Sequence, residues 1–186
     1  ECFKVKITIT KVRERDWLKA SNVNFRPIKI DKFIVTSSFF ANSVKQNRFS
    51  LTIDASLAFG TGHHCSTKFC LELIQRLKKM GVNPSTIIDV GCGTGILAIA
   101  LAKLFPSRII AVDNDIHSVE MTKRNIDLNK VVQRIKVYKS TGLIGNHLNS
   151  NAKYDLIVAN IVFKPLKILM RSFITNLSNG GFLILS

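Results

Sequence analysis

Apolar and polar positions alternate over residues 2–10, and residues 28–36 are rich in β-branched side chains directly behind Pro27, so both stretches predict strands. A short helix is expected over 14–19 and another short strand over 49–54, after a polar Asn/Ser/Gln loop at 42–47. The period changes at residue 66. Phe69, Cys70, Leu73, Ile74 and Leu77 recur as one helical face behind a Ser66-Thr67 start, and Gly81 and Pro84 close it. Strand and helix then alternate: strand 86–90, helix 95–105, strand 108–112, helix 116–129, strands 134–138 and 154–159. A helix from Pro165, with Leu166, Leu169, Met170, Phe173, Ile174 and Leu177 on one face, leads to a last strand at 182–185. Near-continuous apolar strands separated by helices mean a parallel sheet covered on both faces. The expected fold class is α/β, a doubly wound and mostly parallel sheet over residues 55–186, with a short β-rich segment over 1–54.

Composition supports a folded domain. The chain has 186 residues, 46% hydrophobic and 21% charged, which excludes a disordered tail and a disulfide-dependent mini-protein. Its net charge of +15 raises the question of an anionic partner. The excess is spread, with 11 basic against 5 acidic residues over 1–54 and 16 against 7 over 55–186, so it does not form a dedicated nucleic-acid arm. A basic surface of this kind still raises encounter rates with an RNA-rich partner. Cys2, Cys65, Cys70 and Cys92 lack paired metal spacing and read as reduced cysteines of a cytoplasmic protein. The uncharged stretch 90–102 is too short to span a bilayer, and no basic-apolar-small leader opens the chain. The chain begins at Glu1 without Met and stops within the apolar run 181–186, and is read as part of something longer.

Chemistry concentrates where strands end. Directly after strand 86–90 stands Asp89-Val90-Gly91-Cys92-Gly93-Thr94-Gly95, three glycines in five residues between a strand and a helix. Glycines there allow a tight turn and close approach of a ligand to backbone N–H groups. The G-x-G-x-G spacing departs from the dinucleotide fingerprint G-x-G-x-x-G/A, which fits only in the register from Gly93 to Ala98. Asp113 ends the next strand, placed to accept hydrogen bonds from ribose hydroxyls of a nucleoside of either kind, or to cap the following helix. Asn160 directly follows strand 154–159 at the same sheet edge, as a site amide or a turn residue. A second glycine-rich loop, Ala58-Phe59-Gly60-Thr61-Gly62-His63-His64, precedes the helix at Ser66-Thr67. Adjacent loop histidines point apart, and no carboxylate or cysteine pair is spaced to complete a metal site with them.

Residues 89–98, Val112-Asp113-Asn114-Asp115 and Ala159-Asn160-Ile161 resemble a class I S-adenosylmethionine-dependent methyltransferase, with its Rossmann-like sheet. Leu57 through Thr67 resembles the more specific A-F-G-T-G-x-H-x-T-T signature of the ribosomal protein L11 methyltransferase family. Asp16-Trp17-Leu18 through Phe25-Arg26-Pro27-Ile28-Lys29-Ile30 resembles the segment joining that family's substrate-recognition domain to its catalytic domain. The resemblance implies that Thr67, Gly91, Asp113 and Asn160 touch S-adenosyl-L-methionine, that Gly93 and Gly95 shape the loop, and that Asn160 orients the acceptor amine. It implies transfer of methyl groups to lysine or N-terminal amines of ribosomal protein L11; the +15 charge leaves transient rRNA contact open, no membrane is expected, and the oligomeric state is not fixed by the sequence, with a monomer favoured. Residues 1–54 would be the connection to the recognition domain, and the sheet would lack its last strands after Ser186. Ser66 replaces the first Thr of the signature, the prolines of N-P-P-[FY] are missing after Asn160, and Phe163, where a small residue is usual, is expected to narrow the acceptor entrance. The alternatives are a methyltransferase of RNA or DNA bases, a non-catalytic nucleoside-binding module, and a dehydrogenase resting on the Gly93 register.

Overall fold

The computed structural model describes residues 26–54, 64–145, 148 and 152–186. The strand expected over 2–10, the helix over 14–19, the linking segment 16–25 and the glycine-rich stretch 57–63 lie outside these residues.

The β-branched run after Pro27 is a hairpin and not one strand: β1 (Ile28–Ile30) and β2 (Phe33–Thr36) pair antiparallel through Ile28↔Val35 and Ile30↔Phe33. Only the polar pair Asp31-Lys32 marks the two-residue turn, and no glycine or asparagine stands there to announce it. Asp31 makes the turn at φ 51°, a left-handed conformation that Asp tolerates better than most residues. β3 (Ser50–Thr52) lies parallel to β2 and completes a three-stranded sheet.

The second sheet has five parallel strands in the order β6-β5-β4-β7-β8. They are β4 (Thr86–Val90), β5 (Arg108–Asp113), β6 (Ile135–Lys139), β7 (Tyr154–Ala159) and β8 (Leu177–Leu185). The helices are α1 (Cys65–Lys79), α2 (Ile96–Leu104), α3 (Ile116–Leu128) and α4 (Phe163–Asn176). Leu177, expected on the α4 face, instead opens β8 opposite Tyr154. Gly180 at φ 74° and a register shift between Tyr154 and Leu156 then carry the strand to the expected pairing of Phe182–Leu185.

Alternate strand residues point to opposite sheet faces. Ile87, Ile109, Ala111, Leu156 and Val158 enter a core with α1, α2 and the apolar residues of the small sheet, including Phe33, Val35 and Leu51. Ile88, Val90, Val112, Ile157 and Ala159 enter a second core with Phe173 of α4. Every residue of α2 from Ile96 to Ala102 is buried, which is why its sequence carries no polar face. Among the described residues, no helix is long and apolar enough to cross a membrane.

Candidate functional site

β4 is central, with the chain passing to β5 on one side and later to β7 on the other. The crevice at the carboxyl ends of such strands is where open α/β sheets bind ligands. The loop after β4 is held by the backbone of its neighbour: Gly91 and Cys92 donate to Val112 O at 2.8 and 3.0 Å. Gly95 takes φ 80° and caps α2 without a side chain. Asp113 Oδ2 accepts from the Gly93 N–H at 2.9 Å, and Oδ1 accepts from Asp115 N–H at 3.0 Å. The cap of α3 is Asp115, whose carboxylate accepts from His117 and Ser118 N–H, so Asp113 does not serve that purpose.

These strand ends enclose a cavity of about 760 Å³, within the usual range for small-molecule sites. Gly91, Gly93, Asp113 and Asn160 line it, together with Val90, Asn114, Ile161, Val162 and Leu169. Thr67 and Gly95 do not line it. Thr67 is fully buried and accepts from Asn160 Nδ2 at 3.2 Å, while Gly95 packs against Thr122. Phe163, expected to narrow the entrance, is not among the residues lining the cavity; Val162, just before α4, and Pro165, in its first turn, line it instead. His64 and Ser66 line the cavity, with His64 Nδ1 2.7 Å from Ser66 Oγ. Among the described residues no group of His, Cys, Asp or Glu is arranged to hold a metal ion.

Four contributing residues are not evident from the sequence. Ser140, Thr141 and Gly142 form a wall of the cavity after β6, where the only local signal is a glycine just past a strand. Gly142 adopts φ 68°, and a Cβ there would sit 2.3 Å from Leu169 Cδ2, so the turn and α4 interlock. Thr122 donates to Gly93 O at 2.9 Å from the second turn of α3, and its Oγ1 lies 3.3 Å from Cys92 Sγ.

Beneath the loop Asp89 is buried at 1% exposure. Its Oδ2 accepts from Ala98 N–H at 3.0 Å, and its Oδ1 has no hydrogen-bond partner. Burial pushes its carboxyl up to about 7, opposed by the Ala98 bond and reinforced by the negative charge of Asp113. Burial also raises the thiols of Cys70, to about 11, and of Cys92, both further raised by Asp89. Because the folded chain holds the Asp89 proton more tightly than the unfolded one, this group's contribution is most favourable below about pH 4, the ordinary carboxylate value. Stability is therefore lost as pH rises toward about 7. Asp89→Asn keeps an acceptor for Ala98 and removes the titration. Denaturant unfolding at pH 4.5 and 7.5 is expected to show a flatter decline in the variant, and an unchanged decline would locate the titrating group elsewhere.

The cavity suits a nucleoside ligand on its own chemistry. A carboxylate offers about four lone-pair directions. Backbone donors occupy one on each Asp113 oxygen, leaving acceptors for vicinal hydroxyls.

The chain matches, over residues 1–186, the family described as Ribosomal protein L11 methyltransferase (PrmA). A relative of that name from Bradyrhizobium diazoefficiens is 37% identical over 175 residues, covering 94% of this chain and 59% of the relative. The chain therefore spans about three fifths of the length of the curated relatives it matches. A solved ribosomal protein L11 methylase from Lactobacillus delbrueckii subsp. bulgaricus superposes with a TM-score of 0.72 at 30% identity, covering 86% of this chain and 79% of that one. An O-methyltransferase from Bacillus cereus in complex with SAH shares the fold alone, with a TM-score of 0.55 at 17% identity over 66% of this chain and 57% of that one.

Proposed function

Because this chain belongs to the ribosomal protein L11 methyltransferase family, we propose that it is the cofactor-binding part of an S-adenosyl-L-methionine-dependent protein methyltransferase acting on lysine or N-terminal amines of ribosomal protein L11. The observation that carries this reading is the convergence of the glycine loop, Asp113 and Asn160 on one cavity from the ends of three adjacent strands. In this reading Gly91, Gly93, Asp113 and Asn160 contact the cofactor, while Thr67 acts through Asn160 and Gly95 through the start of α2. Residues 1–54 connect to a substrate-recognition region, and residues 55–186 bind the cofactor. The protein works in the cytoplasm, where its net charge of +15 favours encounter with an RNA-rich ribosome.

Bound in the cavity, S-adenosyl-L-methionine supplies a sulfonium-borne electrophilic methyl group. Asp113 accepts hydrogen bonds from the ribose hydroxyls. Asn160 is the orienting group: one Nδ2 N–H is donated to Thr67, which fixes the amide's orientation, and its Oδ1 accepts from the acceptor amine or from the methionine end of the cofactor. The amine must be neutral to react, which a lysine with a reference value of about 10.4 achieves less readily than an α-amine near 7.7 to 8.0. A carbonyl acceptor holds the neutral amine with its lone pair along the line of attack. Alignment of this kind accounts for much of the acceleration in two-substrate transfers.

Equilibrium binding of S-adenosylhomocysteine, with NADH as control, tests the cofactor assignment. Selective binding supports it, and equal binding of NADH overturns it. Asn160→Ala is expected to lower methyl transfer to L11 by about 10- to 100-fold, the scale of a misaligned reacting pair, with a smaller loss in cofactor affinity. Retention of the full transfer rate would remove Asn160 from the mechanism. Label transferred to rRNA and not to L11 would replace the acceptor.

A further inference from the structure

Three buried carboxamides join the small sheet to the rest of the molecule, and each pairs with backbone on both sides of its amide. Gln75 of α1 accepts from Lys32 N–H at 2.8 Å and donates to Ile30 O at 3.1 Å. Asn129, just after α3, accepts from Thr52 N–H at 3.0 Å and donates to Thr52 O at 2.6 Å. Asn125 accepts from Asp54 N–H at 3.0 Å and donates to Asp54 O at 2.9 Å. A carboxamide carries the same donor and acceptor as a peptide group. Four helical residues advance about 6 Å, close to the roughly 6.6 Å between alternate residues of a strand. Asn125 and Asn129 therefore stand in for a neighbouring strand along the edge of β3 that β2 leaves unpaired.

Asn125 differs from the other two in its remaining N–H. It donates to Thr94 O at 2.9 Å, within the glycine loop and between lining Gly93 and capping Gly95. Asn125 is fully buried, and its two donors and its acceptor are all satisfied by backbone. We propose that Asn125 is a positioning residue that couples the small sheet at Asp54 to the glycine loop at Thr94, so that seating of the sheet sets the shape of the cofactor-facing loop. Thr122 holds the preceding carbonyl from the same helix face, and Asn125 alone among the three carboxamides reaches both the sheet and the loop. The proposal rests on the cofactor reading above for its affinity arm only.

The test compares Asn125→Ala with Asn129→Ala and Gln75→Ala, which remove sheet anchors without touching the loop. Asn125→Asp, which keeps the acceptor for Asp54 N–H and loses both donors, serves if the alanine variant does not fold. Amide hydrogen exchange in the full chain without ligand is expected to accelerate at both Asp54 and Gly95 in Asn125→Ala, and at Gly95 in Asn125→Asp, where Asp54 N–H keeps its acceptor. In Asn129→Ala it is expected to accelerate at Thr52 and not at Gly95. S-adenosylhomocysteine affinity is expected to fall about tenfold, the scale of one hydrogen bond, in the Asn125 variants, and to stay within about twofold in the two controls. Acceleration at Asp54 with Gly95 unchanged overturns the coupling, as does an equal affinity loss in all variants. If the wild type binds no S-adenosylhomocysteine, the function reading fails while the exchange pattern still decides the coupling.

Discussion

Asp113→Ala is expected to weaken S-adenosylhomocysteine binding by about 10²- to 10⁴-fold. Hydrogen bonds to a charged group contribute about 1.5–3 kcal/mol each, and the proposed ligand makes two. The variant also loses the acceptor for Gly93 N–H at a buried position, so the loop is released as well as the ribose. Asp113→Asn keeps one carbonyl acceptor and is expected to fall between the two. Because the charge of Asp113 raises the Asp89 carboxyl, both variants are also expected to bring the Asp89 titration downward. Isothermal titration of all three proteins checks the order. Affinity of Asp113→Ala within about threefold of the wild type, far below the factor two such hydrogen bonds imply, would show that the carboxylate does not hold the ligand.

Gly91→Ala is expected to cost about 2–5 kcal/mol of stability. Two penalties combine. Gly91 takes φ 74°, which costs an L residue about 1–2 kcal/mol, and a Cβ would lie 2.2 Å from Ile161 Cγ2, an overpacking that costs about 1–3 kcal/mol. For a domain of this size the melting temperature should drop by about 4–20 °C. Gly81 separates the penalties, since it adopts φ 81° and a Cβ there would meet nothing within 4 Å. Gly81→Ala should show the conformational cost alone, and Gly91→Ala with Ile161→Ala should recover the difference. Equal melting temperatures for the two single variants would mean that Ile161 yields freely and that the strand ends are not interlocked.

What the sequence made legible was local. The five parallel strands follow from apolar runs and helical periods, and the glycine loop with Asp113 follows from residues adjacent in sequence to strand ends. The β1–β2 hairpin was hidden because its turn is only the polar pair Asp31-Lys32, without the glycine or asparagine that usually marks one. Residues 140–142 were not legible as cavity wall, because their role depends on α4 lying across them, 27 residues away at Leu169 from Gly142. Thr67 and Gly95 belong to the matching motifs but lie beneath or behind the cavity, Thr67 bonded to Asn160 and Gly95 against Thr122, a distinction that spacing does not carry. Asn125 and Asn129 read as ordinary polar residues of an amphipathic helix, since nothing in their neighbourhood announces a strand 71 to 77 residues earlier.

The Asn125–Asn129 spacing also constrains how this molecule can vary in length. One residue inserted between them turns the second amide about 100° around the helix, away from Thr52, whereas changes before Ile116 or after Asn129 leave the pair in phase. Insertions and deletions should thus accumulate in the connections flanking α3 and be excluded from its final turn.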